Sequence, residues 1–206
     1  MEELDLLKKD WKRNESTFHQ ISESTISEML HKKSSSIVKW ILIISILEVS
    51  VWTALSIFFD SDAAMKKVYS DEILWYIKIF NILNYVVIAV FIGLFYRNYK
   101  SISTLKSTKQ LMTDILKTRK TVQYYVWYNL GMIAFSMIVV FILAFNLNPQ
   151  VHKLIKTPGV LAVSILICLV AVVAFVVVFW LFYRLLYGIL LRKLNRNYDE
   201  LRKVDL

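Results

Sequence analysis

A chain of 206 residues that is 57% hydrophobic, with mean hydropathy +0.51, is too apolar for an ordinary soluble domain, and at 20% charged it is too polar to lie in lipid throughout. The net charge of +9 would suit nucleic acid, but retention of Lys and Arg on the cytoplasmic side of a membrane explains it without such a partner. One cysteine, Cys168, excludes an internal disulfide or a cysteine metal cluster, and the three histidines, His19, His31 and His152, stand far apart, so no metal or cofactor is implied.

Residues 1–36 form a cytoplasmic arm. Leu4, Leu7, Trp11, Phe18 and Ile21 recur at helical steps, with Lys8, Lys9, Asp10, Lys12 and Arg13 on the remaining surface. Such a stripe seeks the bilayer interface, the protein's own cytosolic helices or a second protein. The Ser-rich stretch after it breaks the pattern, and Lys32 to Ser36 reads as a basic, flexible collar before lipid. No apolar core of the signal-peptide kind precedes the first span, which is expected to act as an uncleaved anchor.

Apolar runs of spanning length follow at about 37–59, 73–96, 124–147 and 160–183. The last holds 24 residues without a charge, and as a helix at about 1.5 Å per residue it covers roughly 36 Å, more than a hydrocarbon core of about 30 Å. A helix buried in a soluble core would keep a polar face. The loop 97–123 is basic, and Ile102, Leu105, Met112, Ile115 and Leu116 give it a partial helical face, so helical extensions of the neighbouring spans joined by a turn are expected there. Pro149 and Pro158 mark a tight connection between the last two spans, and residues 188–206 continue as a basic cytoplasmic tail. The expected fold is all-α: a polytopic membrane protein whose four transmembrane helices, within residues 37–187, form an antiparallel bundle with cytoplasmic helical extensions.

Lys and Arg fix the orientation. The arm, middle loop and tail carry 18, against four in the loops 60–72 and 148–159. Short loops obey the positive-inside bias, which puts both termini in the cytoplasm of a multi-pass inner-membrane protein. Tyr96, Tyr99, Tyr124, Tyr125, Trp127, Trp180, Tyr183 and Tyr187 read as an aromatic belt at that same face. The outer loops, at 13 and 12 residues, are too short to fold a sensor domain, so recognition by polar surface belongs to the cytoplasm.

Glu48 is the main candidate for chemistry, because a carboxyl group at the centre of a span costs roughly 2.5–3.5 kcal/mol on insertion scales and needs a partner. Lys78, Asn81 and Asn84 share one face of the second span, and counting inward from the outer boundary brings Asn84 to the depth of Glu48. Glu48, Lys78, Asn81 and Asn84 are therefore an intramembrane polar seam that either locks two helices together or relays protons or ions. Ser164, Cys168 and Ala171 on the fourth span, and Gly131 and Ala134 on the third, suit close helix packing. No phosphate loop, zinc-binding helix, nucleophile elbow or carboxylate dyad is present, and an enzyme is not expected.

The opening LDLLKKDWKRN and the junction MLHKKSSSIVKWI resemble an uncharacterised group of short four-span bacterial inner-membrane proteins. Some of its members carry a carotenoid-cleaving oxygenase label, which three histidines contradict, since those oxygenases hold iron with four on a propeller. Members often lie near genes for sigma factors, and the resemblance therefore implies a membrane-anchored regulator. The expected function is regulation or scaffolding, with the arm and basic loop docking a cytosolic protein such as a sigma factor and anionic lipid headgroups at the cytoplasmic face, without nucleic acid. The alternative is a small transporter or transporter subunit using Glu48 and Lys78.

Overall fold

The computed structural model describes residues 23–59, 65–66, 69–104, 107–147 and 158–204. The docking stripe Leu4, Leu7, Trp11, Phe18 and Ile21 lies outside the described residues.

Backbone amides and carbonyls in lipid have no water to bond, so an apolar chain satisfies them within helices. Four long helices result: α1 (Glu23–Phe58), α2 (Asp71–Ser103), α3 (Thr108–Leu147) and α4 (Pro158–Val204). Each is long and apolar enough to cross a membrane. Asp71 and Glu72 in the first turn of α2 oppose the positive end of its dipole, and Pro158 opens α4 at a position where no amide is needed. Thr104, with extended backbone, ends α2, and the amides of Gln110 and Leu111 bond the Ser107 carbonyl at 3.0 Å to begin α3.

The helices run antiparallel in a ring. α1 packs on α2 and α4, α3 packs on the same two, and α1 also touches α3 across the diagonal. At 33–47 residues, or about 50–70 Å at ~1.5 Å per residue, all four exceed a membrane core of ~30 Å. The surplus gathers at the end where α1 begins and α4 finishes, here called the terminal end. There Leu30, Val38, Ile102, Leu111, Ile115, Leu194 and Leu201 form one buried cluster, and Ile41, Phe95, Val122, Tyr125, Leu130, Tyr183 and Tyr187 form the next toward the middle.

Polar groups within this end are paired. The Asn197 amide donates to Ser34 Oγ at 3.1 Å, Ser101 to Asp114 at 2.7 Å, and the His31 Nε2 hydrogen to the Thr104 carbonyl at 3.0 Å. The expected flexible collar is thus helical: α1 runs through Lys32–Ser36 because Ser34, fully buried, faces α4. On the exposed side of the same stretch, the Lys32 ammonium lies 2.9 Å from Glu28 and holds that carboxyl below its usual range.

The other half of the bundle is packed differently. Among the described residues, every buried side chain belongs to 30–45, 95–102, 111–130 or 183–201. Beyond that level Val163, Ile167, Val170 and their neighbours point outward, as lipid-facing side chains do. Gly131, read as a packing residue, is exposed, and a Cβ there would meet nothing within 4 Å. Ser164, Cys168 and Ala171 are half-buried along α4.

Candidate functional site

Three tyrosine hydroxyls converge on the Glu48 carboxyl. Tyr125 of α3 donates to Oε2 at 2.9 Å, Tyr187 of α4 reaches the same oxygen at 3.3 Å, and Tyr183, one turn earlier on α4, donates to Oε1. The spacing of four between Tyr183 and Tyr187 stacks both rings on one face of α4, where they lie 6.0 Å apart with planes inclined by 23°. Phe91 and Phe95 of α2 meet the Tyr125 ring edge-on at 5.5 and 5.4 Å and hold it in place. All four helices therefore contribute to fixing one carboxyl group.

This geometry corrects the expected aromatic belt. Tyr125, Tyr183 and Tyr187 are 1–3% exposed and turned inward, whereas Tyr96, Tyr124, Trp127 and Trp180 face outward. The Arg184 guanidinium lies 5.1 Å above the Trp180 ring on that outer side. Belt residues and carboxyl-binding residues have the same side-chain type and lie at adjoining levels. The visible signal was the four-residue step between Tyr183 and Tyr187 beneath a carboxyl that needed donors.

Glu48 stands at the floor of a cavity of about 400 Å³ to which every helix contributes, among them Trp52, Asn84, Asn129, Met132 and Phe179. On α3 its wall runs from Tyr125 to Met137, roughly 18 Å at ~1.5 Å per residue, away from the terminal end. Ile41, Phe95, Val122 and Tyr187 are buried in one cluster with Tyr125 and Tyr183, two residues of the cavity wall. A second, almost wholly apolar groove of about 510 Å³ lies between α1 and α4, and Glu48, Trp52 and Phe179 belong to both. The cavity and the groove adjoin at these three side chains.

The remaining seam residues divide. Asn84 lines the cavity with Glu48, but its Oδ1 accepts from Tyr128 at 2.8 Å; Asn81 lines the same wall toward the far end. Lys78 is exposed and lies outside that wall. Ser45, one turn before Glu48, is buried and donates to the Leu42 carbonyl at 2.8 Å. Among the described residues no group of three or more His, Cys, Asp or Glu side chains is placed to hold a metal ion.

Four antiparallel helices of spanning length, lipid-facing on their outer half, define a polytopic membrane protein. The chain belongs to the family described as a domain of unknown function, DUF8845, whose model matches residues 24–206 and so takes in all four helices and the last part of the arm. Neither a curated protein nor a solved structure matches it.

Proposed function

We propose that the protein is a membrane-anchored regulator or scaffold, seated in the inner membrane with both termini in the cytoplasm, that docks a cytosolic protein through the arm and the basic loop. The observation that carries this reading is the packed terminal end. A purely anchoring bundle needs no helix beyond the bilayer, yet here four continue together around a core of their own, with their buried polar groups paired. Residues 23–36 of the arm are the first turns of α1, and Leu30 among them is part of that core. A groove of about 410 Å³ beside it, lined by Lys33, Lys193 and Arg196 together with Glu200, offers cations to an acidic partner segment or to anionic headgroups. The resemblance described above favours a sigma factor as that partner. No catalytic role is included in this reading. Its test is a pull-down from detergent with the wild type and Trp11→Ala: loss of a cytosolic partner in the variant supports arm docking, and identical partners remove the arm from the mechanism.

A second reading, a small transporter or transporter subunit, is favoured by the cavity at Glu48. It rests on Glu48 without Lys78, which lies away from the cavity wall. Proton-coupled flux in liposomes that disappears in Glu48→Gln supports it; no flux in the wild type removes it.

A further inference from the structure

The three hydroxyls leave Glu48 with unused capacity. An ionised carboxylate has about four acceptor sites, and the tyrosines take two on Oε2 and one on Oε1. The three groups that converge on it are neutral hydroxyls, and none brings a positive charge. Among the described residues no Lys, Arg or His forms an ion pair with it; Lys78 is exposed elsewhere and Arg184 lies over Trp180 on the outer face. A carboxylate so placed in a membrane protein is complementary to a cation that comes from outside the chain.

The walls specify what kind of cation. Trp52 and Phe179, 5.9 Å apart, stand beside the carboxyl, and Phe80, Tyr85 and Phe175 line the cavity above it. Aromatic faces attract organic cations; the amide groups of the lining, on Asn81, Asn84 and Asn129, and its Ser136 hydroxyl stand on α2 and α3, and Asn84 Oδ1 already accepts from Tyr128. A volume of about 400 Å³ is far larger than a dehydrated metal ion and falls within the range of small-molecule pockets, ~300–1,000 Å³. The apolar groove between α1 and α4 reaches the same Glu48 from the lipid side, which suits a ligand that partitions into the bilayer before it binds.

We propose that the Glu48 cavity binds a lipophilic ammonium cation, which enters from the bilayer between α1 and α4, places its N–H on the free side of Glu48 Oε1 and packs its apolar part against Trp52 and Phe179. The site shares Glu48 with the transport reading but needs no movement of cargo. Binding without flux sinks that reading and leaves this one standing.

The test uses the full chain in phosphatidylcholine nanodiscs, whose headgroups carry no net charge, with empty nanodiscs subtracted. The probes are N,N-dimethyl-1-naphthylmethylamine, protonated at neutral pH, and its uncharged hydrocarbon isostere 1-isobutylnaphthalene. Wild type is expected to bind the amine saturably and the hydrocarbon at least about tenfold more weakly, equivalent to about 1.4 kcal/mol. A Glu48→Gln variant that still unfolds cooperatively above the assay temperature is expected to lose a similar factor for the amine alone, and Trp52→Leu to weaken both probes. Equal binding of the two probes by the wild type, no saturable binding of the amine, or a folded Glu48→Gln that binds it as the wild type does would each overturn the proposal. If Glu48→Gln does not fold, the comparison of the two probes on the wild type decides.

Discussion

Tyr125 on α3 and Glu48 on α1 meet across the diagonal of the bundle, phenol to carboxyl, at 2.9 Å. Neighbouring helices in a ring meet along their length as a matter of course; diagonal ones do so only where the centre narrows. This bond therefore marks the waist at which the packed terminal half gives way to the open outer half.

Removing the carboxyl should destabilise the waist more than neutralising it. Glu48→Ala leaves three phenolic hydroxyls without their acceptor, and each buried unsatisfied group costs about 1–3 kcal/mol. Glu48→Gln keeps one carbonyl oxygen. Thermal unfolding in detergent is expected to rank wild type above Glu48→Gln and Glu48→Ala lowest, and an alanine variant as stable as the wild type would show that the cluster contributes nothing to the fold.

The tyrosines should act as a unit. Tyr125→Phe and Tyr183→Phe each remove one hydrogen bond to a charged acceptor, about 1.5–3 kcal/mol if measured alone. Because both serve one carboxyl, the double variant should depart from additivity by about 0.5–3 kcal/mol. A double-mutant cycle in detergent reads this directly, and strict additivity would contradict a shared network.

Loosening the terminal end should leave the cavity intact. Asn197→Leu strands Ser34 in the α1–α4 interface, at a cost of about 1–3 kcal/mol. Hydrogen exchange is expected to speed up around residues 30–38 and 194–201 while amides near Tyr125 keep their protection. Uniform loss of protection along all four helices would mean that the two clusters do not behave as separate layers.

Orientation has its own readout. With 18 Lys and Arg on the side of the termini and middle loop and four on the other, a green fluorescent protein fused after Leu206 should fluoresce, and alkaline phosphatase at the same place should be inactive. The reverse pair of results would invert the map.

Four crossings could be read from the sequence because the bilayer imposes a one-dimensional rule: a stretch such as Val160–Tyr183 either has the apolar length to cross or it does not. Glu48 was legible for the same reason, as a group whose cost in lipid demands a partner. Counting residues from a shared boundary brings Asn84 to its depth, and the two do line one cavity, but the count assumes that neighbouring helices start level. The helices instead settle at heights set by their packing, so Thr53 of α1 comes beside Tyr85 of α2 and Asn84 turns to Tyr128. Whether an aromatic residue near the interface joins the lipid belt, as Tyr124 does, or turns inward, as Tyr125 does, depends on the rotation of its helix about its own axis. The sequence by itself determined how many times this chain crosses, where its charges gather and which carboxyl needs donors. Only the tertiary structure decided that three tyrosines supply them and that a cavity opens above. Hydropathy records length along a helix, whereas height and rotation are settled by which side chains fit against each other.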